Sequence, residues 1–186
     1  MNRRLQSSCI LWLSICGLVL IAGCQASPPS YPTIQISRVS SGQSVEWVDK
    51  SQQPAVLQQG RLMGIDAPDL GQDPWGKQAK QRLEELIGLP DKGSANVEFA
   101  STEADKYGRK FVYLWKDGRL VNEQLLKDGW VLPNVKTATS ATTTTGAKYY
   151  DRFIRASQYA RLSGEGIWNP ERPMRMSPSE FRKEER

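Results

Sequence analysis

The chain has 186 residues, of which 25 are lysine or arginine, 20 are aspartate or glutamate and none is histidine, giving a formal net charge of +5. The absence of histidine excludes Ser-His-Asp triads, zinc sites built on imidazole and acid–base pairs of histidines. All three cysteines, Cys9, Cys16 and Cys24, lie in the first 24 residues, which leaves the rest of the chain without a disulfide partner, a cysteine nucleophile or a thiolate zinc site.

The N-terminus is typical of a signal sequence. Two arginines lie near its start, and residues 9–22 form an apolar run that is short for a membrane span. The run ends in Ile21-Ala22-Gly23-Cys24, which resembles a bacterial lipobox, where the signal is cut before a cysteine that becomes lipidated. We therefore predict a signal peptide over residues 1–23 and a lipid on Cys24. An ordinary secretory signal or an uncleaved anchor helix is the alternative.

A lipid on Cys24 would attach the protein to a bacterial membrane in the cell envelope, facing the periplasm or the exterior. Without residues 1–23 the chain keeps 23 basic and 20 acidic residues, a net charge of +3. This mild positive balance suits a polyanionic partner without requiring one. Residues 24–32, rich in proline and serine, are predicted to be a tether. The remaining length suits one domain with its own core, and we expect a monomer.

The predicted elements follow in order. Three strands are expected over residues 33–39, 44–49 and 55–65, separated by polar turn residues. A helix follows Asp73-Pro74, and its apolar residues recur at helical spacing. The later elements are strands over 97–100 and 110–115, a short helix over 121–127 and a longer helix over 148–162. Residues 137–146 are threonine-rich and predicted to be a surface loop, and residues 170–186 are predicted to be disordered.

The order of these elements favours a small closed barrel. Five short strands are interrupted by helices, but no regular strand–helix–strand alternation runs through the chain, which argues against a parallel sheet. We therefore predict an α+β domain over residues 33–169, in which a five-stranded β-barrel is flanked by three helices.

Two predicted strand ends carry arginines and acids. Arg61 begins a segment that leads to Asp66 and Asp69, and Arg109 follows the turn Asp105-Lys106-Tyr107-Gly108. Guanidinium groups bind phosphate oxygens in a bidentate manner, and carboxylates can align water or bind a hard cation such as calcium. These residue types are the ones that metal-assisted cleavage of a phosphodiester requires. Surface ion pairs on a turn are the alternative interpretation.

In their order and spacing these motifs resemble the staphylococcal (micrococcal) nuclease or thermonuclease-like family. The resemblance covers residues 33–169 and rests on the following segments: 61–69, Trp75-Gly76, 105–109, Val121-Asn122-Glu123 and Gly166-Ile167-Trp168. It implies an OB-fold barrel with three helices, a calcium cofactor, and DNA or RNA as the substrate of a metal-dependent endonuclease.

The resemblance also implies roles for single residues. Arg61 and Arg109 would bind the scissile phosphate. Asp69 stands where the family has a glutamate that directs the attacking water. Lys106 and Tyr107 would contact the nucleotide.

The implied metal ligands are Asp66, Gln43 and the backbone carbonyl of Ala67, and here the chain departs from the family. The family's Asp-Gly-Asp-Thr turn is Ser41-Gly42-Gln43-Ser44 in this sequence, so a neutral amide replaces an aspartate and should weaken calcium binding. Asp69 is one methylene shorter than glutamate, and a displacement of about 1 Å can cost on the order of a hundredfold in rate. The alternative function is therefore a non-catalytic OB-fold module that binds nucleic acid or another anionic polymer at the cell envelope.

Overall fold

A computed structural model describes residues 30–91, 93–134 and 148–185. The predicted signal peptide, Cys24, most of the predicted tether and the threonine-rich segment lie outside the described residues. In the part that is described, no helix is both long and apolar enough to cross a lipid bilayer.

Alternating inward and outward side chains build the strands. In the second strand, for example, Val45 and Trp47 are buried whereas Val48 is exposed. The strands are β1 (Thr33–Ser41), β2 (Ser44–Asp49), β3 (Val56–Leu62), β4 (Ile65–Asp66), β5 (Ser94–Ala104), β6 (Lys110–Lys116), β7 (Arg119–Leu120) and β8 (Leu132–Pro133).

Five of these strands form a closed barrel. They are hydrogen-bonded in the order β3-β2-β1-β5-β6 with antiparallel neighbours, and a parallel pairing of β3 with β6 closes the ring. The predicted α+β architecture with a five-stranded barrel is confirmed.

The predicted strand over 55–65 is in fact two strands. Gly64 adopts a φ of 78°, which turns the chain between β3 and β4. The two-residue strand β4 then pairs with β8, where Asp66 is opposite Leu132.

The helices are α1 (Trp75–Ile87), α2 (Val121–Lys127), α3 (Tyr150–Ser163) and α4 (Pro178–Glu184), with a 3-10 turn at Gly166–Trp168. The first three correspond to the predicted helices. Helix α1 buries Ala79, Leu83 and Ile87 against the barrel, because these residues recur on one face.

A buried carboxylate connects α3 to the barrel. Glu98 of β5 accepts hydrogen bonds from Trp115 Nε1 (3.1 Å), the Tyr149 hydroxyl (2.9 Å) and Lys148 Nζ (2.7 Å). Burial acts to raise the pKa of Glu98, but the hydrogen bonds, including one from Tyr31, outweigh it and leave this pKa below its ordinary value. Glu98 is therefore a charged anchor for the start of α3.

The C-terminal segment differs from the expected disorder over residues 170–186. Helix α4 begins with a capping box, in which the Ser177 hydroxyl accepts from the Glu180 backbone N–H and the Glu180 side chain accepts from the Ser177 backbone N–H. The preceding residues are also attached, because the Met174 N–H donates to the Ile167 carbonyl at 2.9 Å. The tail is highly charged and has few apolar residues, which is typical of disorder. A short helix that is capped and held by specific polar contacts, however, needs few apolar residues.

Candidate active site

Closure of the barrel places the two predicted phosphate-binding arginines in one groove. The parallel pairing sets Arg61 opposite Phe111, two residues after Arg109, and β2 sets Ser44 opposite Arg61. Arg109 Nη1 donates to Ser44 Oγ at 3.2 Å. Both arginines line a groove of about 770 Å³.

Asp105 orients Arg109. Its Oδ1 accepts the backbone N–H of Tyr107 (2.9 Å) and of Arg109 (3.0 Å), and its Oδ2 lies 2.8 Å from Arg109 Nε and 2.6 Å from Nη2. Gly108 provides the positive φ of 78° that this turn needs. Burial acts to raise the pKa of Asp105, but the hydrogen bonds from Arg109 and Tyr107 leave it below its ordinary value. Asp105 was not among the predicted site residues, although an aspartate that opens a glycine-containing turn is a recognisable signal.

Arg61 is largely buried and lies near other charges. Its side chain is 16% exposed, and its Nη2 lies 3.8 Å from Asp66 Oδ1. Burial lowers the pKa of Arg61 and the positive charges of Arg109 and Arg182 lower it further, whereas Asp66 raises it. Two further guanidinium groups, those of Arg109 and Arg182, therefore lie close enough to Arg61 to repel its charge in this groove.

Asp69 lines the same groove on a loop that is fixed by a buried glutamine. Gln72 accepts the backbone N–H of Asp69 at 3.1 Å and donates its own Nε2 to the Met176 carbonyl at 3.0 Å. Asp69 Oδ1 accepts the Gly71 N–H at 3.3 Å. No pattern in the sequence indicated Gln72, because both its partners are backbone groups brought close by folding.

The predicted nucleotide contacts lie at the rim of the groove. Lys106 and Tyr107 are exposed, and 64% of Tyr107 is accessible. Lys106 Nζ is 4.9 Å and Arg109 Cζ is 5.3 Å from the centre of the Tyr107 ring, within the range of cation–π contacts. An exposed aromatic ring beside two cations can stack on a base.

The structure brings two of the predicted metal ligands, Gln43 and Ala67, into contact, and the third, Asp66, precedes Ala67 in the chain. Gly42 packs so closely on α1 that an added Cβ would lie 2.7 Å from the Ala79 Cβ, and this approach places Gln43 beside Ala67. Gln43 Oε1 accepts the Ala67 backbone N–H at 3.0 Å. Both carboxylate oxygens of Asp66 accept hydrogen bonds from Arg182 Nη2, at 2.7 and 2.8 Å.

This arrangement does not fit a calcium ion. Calcium takes about six to eight oxygen ligands and favours carboxylates. Here Asp66 faces a guanidinium group, and the Gln43 oxygen faces an N–H group. Over the described ranges there is no group of three or more Asp, Glu, His or Cys residues that could bind a metal ion. Calcium binding is thus disfavoured both by the neutral Gln43 and by the cationic Arg182 beside Asp66, a residue that was not among the predicted site residues.

Comparison with known proteins identifies the domain. The family model described as Staphylococcal nuclease homologue matches residues 59–170, more than half of the chain. The endonuclease YncB of Bacillus subtilis is 28% identical over 142 residues, which cover 73% of this chain and 61% of that protein. The thermonuclease of Staphylococcus hyicus is 26% identical over 142 residues, covering 74% and 76% of the two chains.

A further relative is the SPbeta prophage-derived endonuclease YokF of Bacillus subtilis, which is 33% identical over 115 residues. The match covers 59% of this chain and 36% of YokF. The chain therefore spans about a third of YokF and about three-fifths of YncB.

Proposed function

The chain belongs to the staphylococcal nuclease family, and from this premise we propose that it hydrolyses phosphodiester bonds of DNA or RNA in the groove of Arg61 and Arg109. The observation that supports this most strongly is the β3–β6 pairing, which sets both guanidinium groups on the groove that also contains Asp69. The names of the relatives, two endonucleases of Bacillus subtilis and a thermonuclease, agree with the proposal.

The groove residues can be assigned to the steps of hydrolysis. As the water oxygen attacks phosphorus, negative charge grows on the phosphoryl oxygens, and N–H groups of Arg61 and Arg109 stabilise it. The Asp69 carboxylate orients the water and accepts its proton as the new P–O bond forms. The bond to the leaving oxygen breaks, and that oxygen takes a proton from solvent.

The rim of the groove favours nucleic acid over a small phosphate ester. Lys106 adds an exposed positive charge at the rim that can contact a phosphate of a longer strand, and Tyr107 offers a ring face to a base. A phosphate and a base face are common to DNA and RNA, so contacts of Lys106 and Tyr107 with these groups admit both as substrates.

A non-catalytic binding module is the second candidate, and a specific observation favours it. The Asp69 carboxylate accepts a hydrogen bond from its own loop at Gly71, and the Asp66 carboxylate is paired with Arg182. With both acids engaged inside the protein, the arginines would bind a phosphate chain without activating water.

Digestion of labelled oligonucleotides by the full-length chain separates the two candidates. Asp69→Asn keeps the acceptor for the Gly71 N–H but cannot take a proton, so it should abolish cleavage of single-stranded DNA and RNA while leaving binding intact. Asp73→Asn, which changes an exposed carboxylate beside Lys77, is the matched control and should cleave like the parent. A parent protein that binds both oligonucleotides and cleaves neither would establish the binding module.

Attachment to a membrane through Cys24 is a separate part of the proposal. It rests on the Ile21-Ala22-Gly23-Cys24 junction and the apolar run before it. On this proposal the domain acts on nucleic acid at the surface of a bacterial membrane, in the periplasm or outside the cell.

A further inference from the structure

The C-terminal helix inserts a third arginine into the groove. Arg182 of α4 lines it together with Arg61 and Arg109. Both of its hydrogen bonds to Asp66 come from Nη2, at 2.7 and 2.8 Å, and its side chain is 34% exposed. A guanidinium group has five N–H donors, so Arg182 can bind a phosphate while it remains paired with Asp66.

The charges around Asp66 leave this point of the groove cationic. The Asp66 carboxylate is 2.7 Å from Arg182 and 3.8 Å from Arg61, so two positive charges are near one negative charge. The lowered pKa of Arg61 has Arg182 among its causes and agrees with this proximity. A second acid at position 43 would have cancelled the excess charge, but Gln43 is neutral.

Helix α4 is integrated into the site. Phe181 packs on the loop that carries Asp69, since a Cβ added at Gly71 would lie 3.4 Å from its ring. Gln72 binds the Asp69 N–H with one end of its amide and the Met176 carbonyl with the other. The same buried side chain therefore positions both the Asp69 loop and the segment that presents Arg182.

We propose that Arg182 is a third phosphate-binding residue and supplies, beside Asp66, the positive charge that the family resemblance assigned to calcium. The groove would then bind a phosphodiester strand without a metal ion. This inference rests on the proposed nucleic-acid substrate but not on hydrolysis.

The test is binding of a fluorescein-labelled single-stranded oligodeoxynucleotide to the full-length chain, in EDTA and in calcium. Arg182→Ala should weaken binding in EDTA by about tenfold or more, the size expected for losing a charged hydrogen bond. Lys183→Ala removes the same charge from the same helix at an exposed position and should change binding far less. Calcium should leave binding by the parent unchanged.

A second variant protects the test against misfolding. Arg182→Lys keeps the charge and the contact with Asp66 but loses the planar fork, so it should bind with intermediate affinity. Equal losses in Arg182→Ala and Lys183→Ala would reduce the role of Arg182 to general charge and overturn the proposal. Tighter binding by Arg182→Ala would show that α4 blocks the site, and a parent that needs calcium to bind would show that a metal ion supplies the charge assigned to Arg182; either result would overturn the proposal.

The outcome is separable from that of the proposed hydrolysis. If the parent binds through Arg182 but cleaves no oligonucleotide, the proposed hydrolysis is contradicted, whereas Arg182 is supported as a third phosphate ligand. If the parent and Arg182→Ala bind and cleave the oligonucleotide equally well, Arg182 is excluded as a third phosphate ligand, whereas the proposed hydrolysis stands.

Discussion

Asp66 and Asp105 each orient a guanidinium group. Asp105 binds the fork of Arg109 through one oxygen and the turn of its own chain through the other. Asp66 accepts Arg182 through both oxygens and has Arg61 at 3.8 Å. Because such pairs limit the rotation of long side chains, the groove presents its cations in defined directions before a ligand arrives.

At the residue scale, the first prediction concerns Arg61 and Arg109, the two arginines that the family resemblance assigned to phosphate binding. Arg61→Ala and Arg109→Ala should each weaken oligonucleotide binding by about tenfold or more and should make it less sensitive to salt, because each loses a phosphate contact. Fluorescence anisotropy at several salt concentrations measures both effects. Arg155→Ala, at an exposed position of α3, is the control. Unchanged affinity in both variants would exclude nucleic acid as the partner.

The second prediction concerns calcium. Gln43→Asp alone should not create a tight calcium site, because Arg182 still occupies the carboxylate of Asp66. Gln43→Asp combined with Arg182→Ala frees that carboxylate and adds a second one, so calcium binding should appear in the double variant. Isothermal titration calorimetry distinguishes the variants. Tight calcium binding by Gln43→Asp alone would mean that the ion displaces Arg182.

At the element scale, polar side chains connect the helices to the barrel. Asn122 at the start of α2 accepts the Leu114 N–H at 3.1 Å and donates to the Met63 carbonyl at 2.9 Å, which joins β6 to the end of β3. Glu123 pairs with Arg152 of α3. These contacts support structural roles for Asn122 and Glu123. The buried Glu98 likewise connects the start of α3 to the barrel.

The third prediction tests this anchor. The pKa of Glu98 is lower in the folded protein than in the unfolded chain, where it is about 4.3. Its stabilising effect should therefore be fully present above that unfolded value and be lost as pH falls through the folded value. Glu98→Gln should lower the free energy of unfolding by about 2 kcal/mol at pH 7. It should also make this free energy fall less steeply as the pH is lowered.

Urea denaturation of the full chain between pH 3 and 7 measures both changes. Glu103→Gln, an exposed position on the same strand, should behave like the parent. If Glu98→Gln keeps the acid sensitivity of the parent, other carboxylates control it.

At the scale of the whole molecule, the barrel makes one continuous core. The buried side chains of all five barrel strands pack with those of α1, α2 and α3, and the groove lies where β2, β3 and the 105–109 turn meet. The chain enters this domain at Tyr31, whose ring stacks on Trp115 with the ring centres 6.0 Å apart. The final part of the predicted tether therefore contacts the barrel.

The fourth prediction concerns membrane attachment. Cys24→Ala removes the only thiol available for a lipid after cleavage of residues 1–23, so the variant should leave the membrane fraction or accumulate with its signal uncut. Fractionation of bacterial cells followed by immunoblotting provides the measurement. The lipobox interpretation fails if the variant stays with the membranes and is processed to the same size as the parent.

The barrel and the two-arginine groove could be predicted from the sequence because their signals are local. Alternation in β2, the helical face of α1 and the glycine turn before Arg109 depend on residues close together in the chain. The prediction of disorder for the tail used its charged composition alone and left out a local feature, the capping box at Ser177 that begins α4 in the structure.

The partner of Asp66 was decided only by the tertiary structure. Arg182 is 116 residues away in the chain, and no spacing rule connects the two. Their meeting requires the barrel to close, Gln72 to join the Asp69 loop to Met176, and α4 to pack on Gly71. The sequence by itself therefore determined the fold and the two arginines that we propose to bind phosphate, whereas long-range packing decided which cation lies beside Asp66, because charge pairing across a fold depends on distances that only folding sets.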